Sequence, residues 1–592
     1  MDVHRELTPV MDHARVCFAT EKTIECLSLQ DGRVLWSRPR PNVDPRPTRY
    51  ALRPTGLVTL VCHGDTLLFS QLEPNRRIDW RQTAASLHAY GLQDGKLKWS
   101  YPCSSWGWVA EPDVFVIDGL AWVADRPGKH FVGLSLDAGE EKRSISTEKA
   151  FDQGHHHRCY RNKATQRYLI SSFHGVEFFS LLDGAKPEVR PWVRSACRYG
   201  FMPANGLLYN APDPCGCYPG AKLLGFSALS ATREEIPTTL SDAPDHRSRL
   251  LEGRAVGSPP GGKPASKEDW PAFRYDSTRS GVAGSALRGE VEPAWTSSLG
   301  GQPTPPVVAD GKVFAGIPEK HVVAALSMTD GRELWRCPVG GALDSPPTYA
   351  GGWLYFGAND GRVYCLRADD GALRWRFDAA PGRSQIMIDG KLESAWPVHG
   401  SVIVEGGLVY LTAGRSTFLN SGIDAWVLDA STGKVLSRKR LDDRDTEFLG
   451  KKINAGDVPL GGVSSDILVS DGRALYMRKK QMFSLPNQGE PLPRIRPLAG
   501  FLDSSRFNRT SPWYLGEKAL GDYLVGDENL AYAFQLTSSF GSHADVTFYR
   551  LGSGGLRLLA YSREMMNKAR PRGKSPPLWT RTSPLAARAM AS

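Results

Sequence analysis

The stretch Pro305-Pro306-Val307-Val308-Ala309-Asp310-Gly311-Lys312-Val313-Phe314-Ala315, continued by Ala325-Leu326-Ser327-Met328-Thr329-Asp330-Gly331-Arg332-Glu333-Leu334-Trp335, decides the fold because it occurs twice. The second copy is Pro346-Pro347-Thr348-Tyr349-Ala350-Gly351-Gly352-Trp353-Leu354-Tyr355-Phe356-Gly357, continued by Cys365-Leu366-Arg367-Ala368-Asp369-Asp370-Gly371-Ala372-Leu373-Arg374-Trp375. The closing tryptophans stand 40 residues apart, and Trp295 stands another 40 residues upstream. A period near 40 made of short strands is that of a propeller blade.

Each part of the unit has a physical reason. The Pro-Pro pair cannot donate to a ladder and suits a strand entrance. Asp310-Gly311, Gly351-Gly352, Asp330-Gly331 and Asp370-Gly371 are tight-turn pairs that tolerate positive φ. The apolar runs between them read as buried strands. Four residues after each second Gly comes Trp, whose ring can fill the space between two sheets while its N–H finds a backbone partner. One such unit leaves an apolar face uncovered, so it needs neighbours.

Outward from this core the pattern weakens. Cys26 to Trp36 and His88 to Trp99 are full blade endings, separated by more than one period. Residues 114–145, 167–192 and 206–229 hold weaker units, 402–437 has Ser437 where the closing Trp is expected, and 464–477 and 522–559 look like degraded units. About ten blade-sized stretches result, read as one ring of about eight blades. The expected organisation is 1–236, divergent blades; 237–268, a Pro/Gly/Ser-rich linker; 269–441, clear repeats; 442–562, degraded blades; and 563–592, a basic tail read as a truncated blade. The chain is expected to be part of a longer protein.

Leu-x-Ala-x-(Asp/Thr)-Gly-x-x-x-Trp resembles the tryptophan-docking motif of the quinoprotein-type (PQQ-like) β-propeller repeat. Trp270-Pro271-Ala272-Phe273-Arg274 resembles the segment that precedes the first blade in such proteins. The segments from Gly154 to Tyr168, Arg198 to Tyr209 and Glu393 to Val402 resemble large planctomycete-type propellers of this kind. The resemblance implies an all-β propeller of four-stranded antiparallel blades in the periplasm or cell envelope. Its functionally named members are quinone-dependent alcohol dehydrogenases and a lipoprotein that scaffolds outer-membrane β-barrel assembly, and fold alone does not select between them.

The charge of +10 in 592 residues is concentrated. Residues 563–592 carry seven basic side chains against one acidic, leaving only +4 elsewhere, so no basic stripe for nucleic acid is present. No apolar run is long enough for a membrane-spanning helix, and no signal-peptide pattern is visible at Met1.

Two constellations could carry chemistry. His155, His156, His157, Cys159, Cys197, Cys215 and Cys217 are zinc- or copper-ligating types within 63 residues. Three readings stay open for them: a transition metal, disulfides, or packing in a loop. Their spacing matches no standard zinc template. The other set is Arg198, Trp396, His399 and Arg415, on segments that enter successive blades; they are expected to form a polar and aromatic binding funnel at the propeller mouth, for a ligand or a protein partner. PQQ as cofactor is implied only by the resemblance. The vicinal Cys-Cys and the calcium set of quinone dehydrogenases are not found in the sequence. Of Cys17, Cys26, Cys62, Cys103, Cys337 and Cys365, which sit singly in or beside apolar strands, most read as small buried thiols. A non-catalytic binding scaffold is the first expectation, a quinone- or metal-dependent oxidoreductase the second.

Overall fold

The computed structural model describes residues 9–583 apart from 21, 42–57, 79–81, 107–111, 149, 152–156, 158–159, 174, 191, 196–198, 213–222, 224–225, 232–248, 256, 258–263, 287–288, 389, 400–401, 443–462, 479, 487–490, 493, 498–512, 516–518, 522, 528, 536, 544–545, 552–555 and 564–576. The architecture is all-β, a β-propeller of antiparallel blades in which most strands pair with the next along the chain. The contacts divide the chain into two compact units.

The first unit holds five blade-type strand groups among the described residues, from Val10–Met11 to Ser227–Leu229. Its second blade carries unusually long middle strands, Thr66–Arg77 and Gln82–Gly91, which absorb part of the extra spacing between Trp36 and Trp99. The second unit holds six such groups, so the tally exceeds the eight blades expected from the sequence. Its best-formed blades are Val307–Ala309 to Glu333–Pro338, Thr348–Ala350 to Leu373–Asp378, and Ile403–Glu405 to Val435–Leu441. Part of the stretch read as a linker, Leu250–Glu252, adds a fifth strand to the edge of Leu373–Asp378. Arg249 fastens it by donating to the carbonyls of Asp378 and Ala380.

The blades share a local irregularity. Between the third and fourth strands the register shifts at Cys26/Leu27, Ala89/Tyr90, Gly133/Leu134, Ala325/Leu326, Cys365/Leu366 and Val427/Leu428. A bulge bends and twists the strand that carries it. The next residue of the fourth strand then faces a small partner: Trp36 opposes Cys26, Trp99 Ala89, Trp335 Ala325 and Trp375 Cys365. Each indole reaches the following blade. Trp36, Trp99, Trp295, Trp335 and Trp375 donate Nε1–H to the carbonyls of Leu92, Leu136, Met328, Ala368 and Ala430 at 2.8–3.0 Å. The ring lies on the turn glycine there. A Cβ at Gly95, Gly139, Gly331, Gly371 or Gly433 would come within 2.3–2.8 Å of the indole or, at Gly433, also of Leu250. Glycine is therefore required twice over, for its positive φ and for this approach.

At Trp375 the dock becomes core. Its ring, with Phe377, Trp426, Val409 and Leu428, forms one apolar cluster shared by two blades. The segment from Trp270 to Ser280 ties blades of the second unit together. It bridges to Val308, accepts from Tyr349 N–H, and joins Ser470 and Gly526 through Ser277 and Ser280. These partners lie in or beside the first strands of four blades. Arg279, fully buried, donates to the carbonyls of Leu468 and Phe273, and Arg274 stacks 4.2 Å from the centre of the Trp513 ring. Burial pushes both guanidinium groups down to about 10.

Candidate functional site

In an antiparallel blade the loop entering the first strand and the loop joining the second to the third emerge at the same end. In the second unit this end gathers charge. Asp344 lies in the loop that enters Thr348–Ala350, and Asn359 follows Trp353–Gly357 in the same blade. His399 lies in the loop that enters Ile403–Glu405, and Arg415 follows Leu408–Ala413. Glu393 belongs to an inserted hairpin, Gln385–Ile388 paired with Lys391–Ser394.

These five side chains form one chain of contacts across two blades. His399 Nδ1 is 2.5 Å from Asp344 Oδ2, and His399 Nε2 is 3.1 Å from Arg415 Nη1. Arg415 Nη2 donates to Glu393, whose other oxygen accepts from Asn359 Nδ2 at 3.0 Å. A guanidinium can only donate, so His399 Nε2 accepts and the imidazole proton sits on Nδ1, aimed at Asp344. Burial opposes ionisation of Asp344, but hydrogen bonds from His399 and Asn359 and the charge of Arg415 outweigh it and hold the carboxyl below its usual range. Two hydrogen bonds, Ser345 Oγ to the His399 carbonyl and Thr348 Oγ1 to the Val402 carbonyl, pin the entering loop.

Two polar atoms in this set are buried without a hydrogen-bond partner: Asn359 Oδ1, an acceptor, and Arg415 Nε, a donor. They belong to the two residues that grip Glu393. A buried group left unsatisfied is costly, and a water or another polar group can supply the missing bond. Above this base the inserted hairpin presents Met387 and Leu392, directly paired across its strands and each 62% exposed.

The residues expected from the sequence are distributed as follows. His399 and Arg415 touch each other. Trp396 enters on the same loop as His399, but its ring is buried and its N–H is bonded to the Asn420 carbonyl at 2.8 Å. Arg198 lies outside the described residues, as do His155, His156, Cys159, Cys197, Cys215 and Cys217. His157 is buried and accepts the Ser172 N–H at 3.4 Å. Among the described residues no three His, Cys, Asp or Glu side chains gather as metal ligands. Asp344, Asn359 and Glu393 were not singled out from the sequence, because they lie in a loop and an insertion that no repeat marks.

Residues 319–478 match the family model described as outer membrane protein assembly factor BamB. BamB of Burkholderia pseudomallei is 27% identical over 175 residues, which cover 28% of this chain and 44% of that protein. BamB of Shewanella oneidensis is 25% identical over 249 residues, 40% of this chain and 60% of that protein. The dehydrogenase subunit of the quinone alcohol dehydrogenase of Gluconacetobacter polyoxogenes is 31% identical over 161 residues, 25% of this chain and 21% of that protein. The chain thus spans about half the length of the two BamB relatives and about a fifth of the dehydrogenase. Among solved structures, BamB from Moraxella catarrhalis matches at 11% identity over 81% of this chain and 95% of that chain, with a TM-score of 0.20. No helix of the described residues is long and apolar enough to cross a membrane.

Proposed function

Taking the chain as a propeller of PQQ-like repeats, we propose that it is a non-catalytic interaction scaffold of the bacterial cell envelope, which receives a protein partner or ligand at the charged end of its second unit. The observation that carries this reading is the inserted hairpin Gln385–Ser394: an exposed apolar pair, Met387 and Leu392, held on a base fixed by Glu393, Arg415 and Asn359. An apolar pair already held in place by a paired hairpin loses little entropy on docking. The BamB relatives, named for outer-membrane protein assembly, support the envelope setting.

The test is a photo-crosslinking residue placed at Met387 or Leu392 in bacterial cells, with exposed Met328, in a turn at the other end of its blade, as control. One discrete envelope adduct from the hairpin positions, absent from the control and weakened by Arg415→Ala, is expected. Equal labelling at all three positions would sink the reading.

The alternative, a quinone-dependent oxidoreductase, is favoured by the 31% identical stretch of the alcohol dehydrogenase subunit. At the network described above one guanidinium faces two carboxylates, and this excess of negative charge repels a polycarboxylate quinone. Such a cofactor would have to be held elsewhere. Quinone absorbance retained by the protein after incubation with PQQ and Ca²⁺ and desalting would favour this alternative over the scaffold.

A further inference from the structure

Three thiols meet in the first unit. Cys17 lies in Arg15–Ala19, Cys26 in Thr23–Ser28 of the same blade, and Cys62 in Val58–His63, the first strand of the next blade. All three pack in one cluster with Ile24, Trp36 and Leu67. Cys17 and Cys26 are directly opposite in the antiparallel register. Thr20 N–H bonds the Thr23 carbonyl and Leu29 N–H bonds the Ala14 carbonyl, so hydrogen-bonded pairs fall on alternate rungs and Cys17/Cys26 falls between them. On such a rung Cα atoms approach to about 4.5 Å and side chains are closest. Strand Arg15–Ala19 also contacts strand Val58–His63, which brings Cys62 in from the neighbouring blade. Cys17 and Cys26 are fully buried, whereas Cys62 is partly exposed.

We propose that Cys17 and Cys62 form a redox-sensitive site, a dithiol that an external disulfide converts into a bridge between the first two blades. The electrostatics agree with this division of roles. Proximity to Cys17 holds the Cys62 thiol below its usual range, while the neighbouring Cys62 and burial push Cys17 up. The partly exposed sulfur is thus the one that more readily becomes thiolate, the nucleophilic form. In the first step Cys62 thiolate attacks a small-molecule disulfide, RSSR; a Cys62–S–S–R bond forms and RS⁻ leaves. In the second, Cys17 loses its proton and attacks the Cys62 sulfur; the interblade bond forms and a second RS⁻ leaves. Two protein thiols are oxidised and one disulfide is reduced to two thiols. Neither Cys26 nor Cys17 can be reached by the oxidant first, since both are closed to solvent.

The experiment uses the full chain. It is incubated with oxidised glutathione, remaining thiols are capped with a maleimide under denaturing conditions, and it is digested without reduction. The expected product is a linked peptide pair carrying Cys17 and Cys62, lost on reduction, still formed in Cys26→Ser and lost in Cys62→Ser. The bridged protein should melt at a higher temperature than the reduced one, because a cross-link between two blades restricts the unfolded chain. A Cys17–Cys26 pair in the wild-type chain, glutathione retained on Cys62 without a bridge, or six capped thiols at these and the other described cysteines would each overturn the proposal.

Discussion

The two ends of the same blades in the second unit are built on different principles. At the turn joining third and fourth strands, one apolar contact recurs: Trp295, Trp335 and Trp375 each lie on the next turn glycine and donate to the carbonyl nearby. At the opposite end the backbone contacts recur but the charged ones do not. Asp344, His399, Arg415, Glu393 and Asn359 make one polar chain between two blades, with no counterpart in the blade of Val307–Ala309. The repeating end solves a packing problem common to every blade, and repetition makes it visible. The unrepeated end departs from the period, carries unsatisfied atoms and bears an insertion. That departure is what the proposed binding role of this end rests on.

The largest expected effect lies at the docking end. Trp375 is 1% exposed, so Trp375→Ala should cost ~3–5 kcal/mol in a denaturant melt, the range for deleting a large buried ring. Trp335 is only half-buried, and Trp335→Ala should cost roughly half as much, since the lost burial scales with area. Equal costs would show that the two docks do not differ as their burial does.

Next comes the polar end. Arg415→Ala leaves Glu393 without its guanidinium and His399 Nε2 without its donor. Breaking a buried ion pair costs ~3–5 kcal/mol, and with both side chains slightly exposed the expected loss is roughly 2–3 kcal/mol. The same variant should weaken hairpin crosslinking, which Trp335→Ala should leave intact. A smaller effect is expected at the turn glycine. Gly433→Ala must push a methyl into Trp375 or Leu250 at positive φ, and a loss of ~1–3 kcal/mol is expected in the same melt.

How far the sequence carried follows from this contrast. The docking tryptophans were legible because Gly and Trp keep a four-residue spacing against a 40-residue period. One substitute for them was not. Arg143 stands four residues after Gly139 and opposes Gly133, where a tryptophan would stand; it donates to the Leu181 carbonyl and to Asp183, while Gly184 has open space over it. A guanidinium reaches the same carbonyl as an indole but covers no glycine, so the pattern is kept in hydrogen bonding and lost in composition. At Ser437 even the hydrogen bond is out of reach of so short a side chain. His399 was legible as a residue of a blade-entering loop, whereas Arg415, expected on such a segment, follows the second strand of its blade instead. Their carboxylate partners were not legible, since contacts among an insertion and separate loops, 22 to 55 residues apart, leave no period in the sequence. Nor did the sequence show that Cys17, Cys26 and Cys62 converge: the pairing of Cys17 with Cys26 depends on hairpin register, and Cys62 joins them only through blade packing.

The smallest expected effect is a pH dependence that tests whether the polar end holds charge as described. Asp344 has a folded pKa below its ordinary value of 3.8. A depressed carboxylate contributes stability that is fully present above the unfolded value and is lost as pH falls through the folded one. The denaturation midpoint of the wild-type chain should therefore exceed that of Asp344→Asn by a constant margin from neutral pH down to about 4, then converge with it at lower pH. Trp375→Ala should shift the midpoint without altering that convergence, because the docking end has no titrating partner in the contact. If the wild type and Asp344→Asn instead converge between pH 7 and about 5, a different group governs the network. The assignment of the proton to His399 Nδ1, and with it the reading of a preformed charged base under the hairpin, would then fail.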